Sequence, residues 1–99
     1  MNTAFHSLVR VEGDLSICRL AELRDRFLAE MAADHDVDLD LTGVTSVDSL
    51  AIQLVVAAVR TAARSGRCWR TVAASEPVLS RATLLGVAAA DLGLSVPHP

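Results

Sequence analysis

The sequence predicts a single α/β domain with a mostly parallel, four-stranded sheet and helices packed on one face of that sheet. Two segments in which apolar and polar residues alternate predict half-buried strands, and amphipathic helical patterns follow them along the chain. A chain of 99 residues forms one hydrophobic core and has no room for a second. We therefore expect one domain over residues 1–99, with its folded core at about residues 5–95.

The first two strands are predicted over residues 8–12 and 37–41, where side chains alternate with period two. Parallel strands that are covered on both faces are usually apolar throughout, so this alternation indicates one covered face and one open face. A third strand is predicted over residues 68–74, and Phe5 is assigned to an extra N-terminal edge strand. The core-facing set is Val9, Val11, Leu39 and Leu41, and the solvent-facing set is Arg10, Glu12, Asp38 and Asp40.

Helices are predicted between and after the strands. The first carries Leu20, Leu23, Phe27 and Met31 at helical spacing and ends before the polar residues 34–36. A turn at residues 42–46 then leads into the second helix, from about Leu50 to Arg64. The third helix opens at Glu76-Pro77 and runs to about Gly86, and residues 88–92 suit a short fourth helix. The N-terminal cap of the second helix is assigned to Asp48 or Ser49, and its end to Gly66.

The second helix is unusually apolar, because Gln53 is the only polar residue between positions 50 and 59. A helix that covers one face of a sheet normally carries a polar stripe. Two explanations remain open and are compatible. Neighbouring helices can bury both flanks of the helix, or its exposed part can serve as an apolar docking surface.

Composition excludes several classes of protein. The net charge is −3 and no basic block occurs, which argues against nucleic-acid binding. The uncharged run over residues 44–59 is interrupted by Asp48, and it is too short and polar to cross a bilayer. No basic segment precedes an apolar one at the N-terminus, so we expect a cytoplasmic protein without a signal peptide. Cys18 and Cys68 lack metal-ligand spacing and are predicted to be reduced core thiols rather than a disulfide.

The histidines, Trp69 and Asp40 are further candidates for a functional role. His6, His35 and His98 lack ligand spacing and are predicted to be solvated surface residues. Trp69 is predicted to anchor the core or an edge, although an exposed tryptophan would mark an interface. Asp40 is expected to cap local backbone N–H groups or to orient the following loop. No arrangement supports catalysis, a cofactor or a metal site.

The segment VDLDLTGVTSVDS at residues 37–49 closely resembles the signature of STAS domains, in which a strand ending in Asp-Leu-Ser/Thr leads to Asp-Ser/Thr-x-Gly at a helix start. Three more segments resemble the family in the right order. They are VEGDL at residues 11–15, RSG at residues 64–66, and ASEPV at residues 74–78 followed by LLGV at residues 84–87. The resemblance spans about residues 5 to 95 and implies a STAS-type α/β fold.

The resemblance also implies a protein-binding function. In bacterial anti-sigma factor antagonists of this family, a kinase-type anti-sigma factor phosphorylates a serine at the loop-to-helix junction, and the unphosphorylated form binds that kinase. This sequence departs from the pattern, because Leu50 occupies the usual phosphoacceptor position and Ala51 replaces the glycine. Ser49 aligns with the first Ser/Thr of the motif. It is predicted to cap the helix, with phosphorylation of Ser49 as the alternative.

Four hypotheses follow from the resemblance and the residues. In the first, the chain is an antagonist that binds an anti-sigma factor kinase. In the second, it is an accessory subunit that binds the ATPase of an Mla-type lipid-transport ABC complex. The third is a signalling adaptor, and the fourth and least favoured is an enzyme. The first two use one surface at the junction, and we expect no nucleic-acid partner and no membrane insertion. Its predicted residues are Ser46, Val47, Asp48, Ser49, Leu50 and Gln53.

Overall fold

Strands and helices alternate along the chain, as the sequence predicts. The computed structural model describes residues 6–94. The strands are β1 (His6–Leu15), β2 (Asp36–Val47) and β3 (Trp69–Ala74), and the helices are α1 (Leu20–Ala32), α2 (Ser49–Arg64) and α3 (Glu76–Leu84). Short 3-10 helices lie at Ile17–Arg19 and Ala89–Leu92, the second at the position of the predicted fourth helix.

The strands form one parallel sheet in the order β1-β2-β3. Within residues 6–94 the sheet has three strands, so the prediction of four is wrong for this part of the chain, and Phe5 lies outside the described residues. Beside β3, Leu94 makes a single parallel bridge to Thr71. One bridged residue does not amount to a strand. Gly93, whose φ is +77°, turns the chain immediately before Leu94.

The second strand is longer than predicted, and this is the most consequential correction. The expected turn at residues 42–46 is instead extended chain that pairs with the second half of β1, from Glu12 opposite Gly43 to Leu15 opposite Val47. A Cβ at residue 43 would lie 2.9 Å from the Cγ of Glu12, so a larger residue there would force the exposed Glu12 side chain to shift. The glycine that suggested a turn instead allows close packing across the two strands.

The core lies between the sheet and the three helices. In the helix-facing layer, the ring of Phe27 on α1 meets the ring of Trp69 on β3 edge to face, with centroids 5.5 Å apart. Trp69 is thus a core residue, as one of its two predicted roles requires. The other fully buried large side chains are Val9, Val37, Leu39, Leu41, Val44, Ile52, Val78 and Leu92.

The opposite face of the sheet is open, which confirms the prediction from period-two alternation. Arg10 and Glu12 are exposed, and two ion pairs cross between strands, Arg10 to Asp40 at 3.3 Å and Arg70 to Asp38 at 2.8 Å. Exposed Leu8 and Val72 confirm that no helix covers this face in the described part of the chain.

Two predictions about polar side chains are wrong. Cys18 and Cys68 are free thiols, but both are exposed rather than in the core, because they lie in a surface 3-10 helix and in the loop before β3. His35 is largely buried, with its Nε2 3.1 Å from Oε1 of Glu30 and its Nδ1 3.3 Å from the carbonyl oxygen of Ala33. These two contacts hold the ring against the end of α1, and only 9% of the side chain is exposed. The side chain of His6 and all of His98 lie outside what the structure describes.

Candidate functional site: the β2–α2 junction

The site is formed where β2 continues past the end of β3. The last paired residues of these strands are Leu41 and Ala74, and the N–H of Ser75 donates to the Leu41 carbonyl oxygen at 3.2 Å. Beyond that point α3, in place of a strand, packs on β2 and lines a groove with residues 45–47. A notch therefore separates the tip of β2 from α3 and opens beside the first turn of α2.

The junction between β2 and α2 is a single residue. The N–H of Asp48 donates to the carbonyl oxygen of Leu15 at 3.0 Å, which ties the junction to the end of β1. The Oδ1 atom of Asp48 accepts from the N–H of Leu50 at 2.9 Å, so Asp48 is the N-terminal cap of α2. Ser49 is the first residue inside the helix. Of the two predicted caps the structure selects Asp48, and the capping role expected for the Ser49 hydroxyl is wrong.

An open pocket of about 260 Å³ lies at this junction. Inside it, the Oγ of Ser46 donates to Oδ1 of Asp14 at 2.5 Å, which links the tips of β2 and β1. Arg81 reaches the same pocket from α3. The lining consists of Asp14, Ser16, Ser46, Val47, Asp48, Ser49 and Arg81.

The structure brings the predicted binding residues together on one surface. Ser46, Val47, Asp48 and Ser49 line the pocket, and Leu50 lies beside it at the start of α2 with 52% of its surface exposed. Gln53, one turn further along α2, is also exposed. The neighbouring positions on α2 are core residues, and Ala51 and Ile52 are fully buried.

The flanks of α2 pack against α1 and α3, which confirms one of the two explanations for its apolar sequence. Its outward stripe contains Leu50, Gln53, Ala57, Arg60 and Arg64, so polarity increases only towards the C-terminal end. The exposed side chains nearest the junction therefore include a large apolar one.

Sequence reasoning missed Asp14, Arg81 and Leu84, which border the junction from β1 and α3. A second open groove of about 250 Å³ is lined by residues 45–47 of β2 and by Pro77, Ser80, Arg81 and Leu84 of α3. These α3 residues have the i, i+3, i+4, i+7 spacing of one helix face. That spacing was visible in the sequence, but the true length of β2 was needed to place the face beside the junction.

Asp40 lies within β2, before the junction. It caps the local backbone, as one of its predicted roles requires. Its Oδ1 accepts from the hydroxyl and the N–H of Thr42, at 2.6 Å and 3.0 Å. These bonds, with a smaller contribution from Arg10, hold the pKa of Asp40 below its ordinary value. On the open face, the hydrogen bond and charge of Asp38 raise the pKa of Arg70.

Within residues 6–94, no group of three or more His, Cys, Asp or Glu side chains is arranged to hold a metal ion. In the same part of the chain, no helix combines the length and apolar character that a bilayer span requires. What the junction offers is a concave polar pocket next to exposed apolar side chains. This combination is typical of a surface that binds another protein.

The parallel sheet with helices on one face and the acid-capped strand-to-helix junction define a small α/β domain with a candidate protein-binding surface at that junction. Comparison with known families makes the assignment specific: residues 2–94 match the family described as "Mlab, STAS domain". The chain belongs to the STAS domain family, whose members generally mediate protein–protein interaction. A search of curated protein sequences found no match.

Proposed function

We propose that this protein is a non-enzymatic regulatory module of the cytoplasm that binds a protein partner through the β2–α2 junction, in the manner of an anti-sigma factor antagonist. The observation that carries the proposal is the position of Leu50. Its neighbours Ala51 and Ile52 are buried, yet Leu50 projects with half of its surface exposed beside a pocket lined by Ser46, Val47, Asp48 and Ser49. Burial of such an exposed apolar side chain against a partner would remove apolar surface from water, which favours binding.

The junction also supports a proposal about how the module is regulated. Leu50 stands at the usual phosphoacceptor position, and its aliphatic side chain has no oxygen that could receive a phosphoryl group. Ser49 is half-buried in the pocket, and Asp48 already supplies the cap of α2. We therefore propose that the junction is not phosphorylated and that the protein binds its partner constitutively.

A second candidate function is that of an accessory subunit that binds the ATPase of a lipid-transport ABC complex. It is favoured by the description of the matching family, which names Mlab. A signalling adaptor would use the same surface. Neighbouring genes separate these candidates, because an antagonist is expected beside a sigma factor or its kinase, and a transporter subunit beside a permease and an ATPase.

Binding to the product of the neighbouring kinase or ATPase gene tests the proposal through two matched variants. Leu50→Asp should abolish binding by isothermal titration calorimetry, whereas Leu8→Asp should leave it unchanged. Leu8 is similarly exposed, at 59%, but lies on the open face of the sheet. Equal binding by both variants would show that the junction is not the contact surface.

The phosphorylation proposal has its own test. The protein is incubated with the neighbouring kinase and ATP, and the peptide that contains Ser49 is examined by mass spectrometry. We expect an unmodified peptide and intact partner binding in Ser49→Ala. Stoichiometric phosphate on Ser49 would contradict the constitutive mechanism and support a phosphorylation-regulated antagonist.

A further inference from the structure

The two outer strands of the sheet are bordered in different ways. Beside β3 the chain itself covers the edge, since the N–H of Thr71 donates to the carbonyl oxygen of Gly93 at 3.0 Å and the Thr71 hydroxyl donates to that of Leu92 at 2.6 Å. β1 is the other edge strand, and within residues 6–94 no strand lies on its outer side. Such an edge presents unpaired backbone groups to any extended chain.

The hydrogen bonds at the end of β1 show which residues face this outer side. The carbonyl oxygen of Leu15 accepts from the N–H of Asp48 and therefore points towards β2. Successive residues of an extended strand direct their N–H and C=O groups to alternate sides. The backbone groups of residues 8, 10, 12 and 14 thus point to the free edge.

Arg19 closes part of that edge with its side chain. Its Nη1 donates to the carbonyl oxygens of Glu12 and Asp14, at 3.0 Å and 3.1 Å, and its Nη2 lies 3.6 Å from Oε1 of Glu22 on α1. A Cβ at Gly13 would lie only 3.1 Å from the same Nη1, so the guanidinium is held close against the backbone of β1. A strand that paired with residues 12 and 14 would have to displace it.

The closed part of the edge is complementary to itself. If two copies pair their β1 strands antiparallel about a two-fold axis at Val11, Arg10 of each copy lies opposite Glu12 of the other. Both side chains are exposed on the open face, and Arg10 keeps 58% of its side chain exposed while paired with Asp40. Opposite charges at directly opposed positions stabilise a strand pair, and a two-fold axis repeats the contact. In this register the N–H of Arg10 needs the carbonyl oxygen of Glu12, which Arg19 occupies.

We propose that the outer edge of β1 is a self-association surface and that Arg19 is an autoinhibitory contact that keeps it closed. The excluded occupant is β1 of a second copy, because two copies of this strand place Arg10 against Glu12 twice. The inference is independent of the proposed function, which concerns the β2–α2 junction.

Sedimentation velocity over a range of concentrations tests the role of Arg19. We expect the parent to remain monomeric and Arg19→Met to form a dimer, with a dissociation constant at least about tenfold lower than that of the parent. Arg24→Met is the matched control and should stay monomeric, because Arg24 is an exposed arginine of α1 that pairs with Asp25 on its own helix. Hydrogen–deuterium exchange of Arg19→Met should show concentration-dependent protection at residues 8–12.

Glu12→Arg tests the register. Added to Arg19→Met, it places Arg10 opposite a second positive charge and should weaken association by about tenfold or more. A dimer that is unaffected by this change, or is protected away from β1, would overturn the inference. So would a folded Arg19→Met that stays monomeric, since Arg19 would then only stabilise the end of β1. If Arg19→Met fails to fold, Arg19→Gln gives the same comparison, and loss of folding in both variants would overturn the blocking role of Arg19.

Discussion

The capping of α2 offers the sharpest quantitative test of the junction. In Asp48→Ala, the N–H of Leu50 loses the carboxylate that accepts it at 2.9 Å, and the helix loses a negative charge at its N-terminus. Removal of such a cap costs about 1 kcal/mol, and the lost interaction with the helix dipole adds roughly 0.3–1 kcal/mol. We therefore expect Asp48→Ala to reduce the free energy of unfolding by about 1–2 kcal/mol. For a domain of this size, each kcal/mol corresponds to a decrease in Tm of roughly 4–8 °C.

Ser49→Ala is the matched control, because it removes a hydroxyl from the adjacent residue. Ser49 lies in the first turn rather than at the cap, and alanine is the best helix former. Its effect on the free energy of unfolding should stay within about 0.5 kcal/mol. Asp48→Asn should lie between the two variants, since asparagine caps as well as aspartate but carries no charge.

The measurement is urea unfolding followed by far-ultraviolet circular dichroism and by fluorescence of Trp69, the single tryptophan, which is buried in the core. Coincident transitions would justify a two-state analysis. If Ser49→Ala destabilises the protein as much as Asp48→Ala does, the capping assignment is wrong and the serine hydroxyl performs the role expected from the sequence.

Three further predictions concern residues around the junction and the sheet. Leu50→Asp should change the Tm by only a few degrees. The half-exposed leucine loses about 1 kcal/mol of burial, and an acid in the first turn of a helix partly offsets that loss. A large loss of stability would place Leu50 in the core. Thr42→Val should raise the pKa of Asp40 towards its ordinary value in a carbon-13 NMR titration, and an unchanged pKa would exclude Thr42 as its main cause. Gly93→Ala should reduce the free energy of unfolding in urea by about 2 kcal/mol or more. The φ angle of this residue is +77°, and the new Cβ would lie 2.9 Å from the carbonyl oxygen of Trp69. A neutral effect would contradict this geometry.

The titration of Asp40 also fixes the sign of one pH effect. Because folding lowers the pKa of this carboxyl group, its ionised form is favoured in the folded state. The resulting stabilisation is fully present above the ordinary carboxyl pKa of about 4 and is lost as the pH falls through the lower pKa of the folded state. In Thr42→Val this contribution should shrink, so the variant and the parent should differ less in stability at acidic pH than at neutral pH.

Local patterns predicted most of the fold. The period-two alternation identified the buried and open faces of β1 and β2, and the helical spacing of Leu23 and Phe27 identified the buried face of α1. These predictions succeeded because burial on one face constrains every second residue of a strand and every third or fourth residue of a helix. The position of α2 and the opening of α3 at Glu76-Pro77 followed from capping and from the preference of proline for a first turn.

Predictions failed where a residue's role depends on a distant partner. Gly43 has the local character of a turn residue, but it lies within β2, where the side chain of Glu12 packs across it from the neighbouring strand. His35 has polar neighbours in sequence, yet the end of α1 buries it beside Glu30. Arg81 lies on a face of α3 whose helical spacing is visible in the sequence, but no local pattern places that face beside the junction. Its position beside Ser49 depends on the length of β2, which a local pattern does not determine.

The unequal lengths of β2 and β3 explain why the pocket and groove of the proposed contact surface form at this edge of the sheet. If the strand continued past Ala74, its backbone would hydrogen-bond to β2 and leave no space for a groove. A helix occupies that place instead, and its side chains, not its backbone, face residues 45–47. Side chains of unequal length leave a groove, and its floor and walls are set by Val47, Arg81 and Leu84. Val78 and Ala82 are the buried residues of α3 and pack against the core. The outer side chains Arg81 and Leu84 are therefore not needed for core packing and can contact a partner without loss of stability.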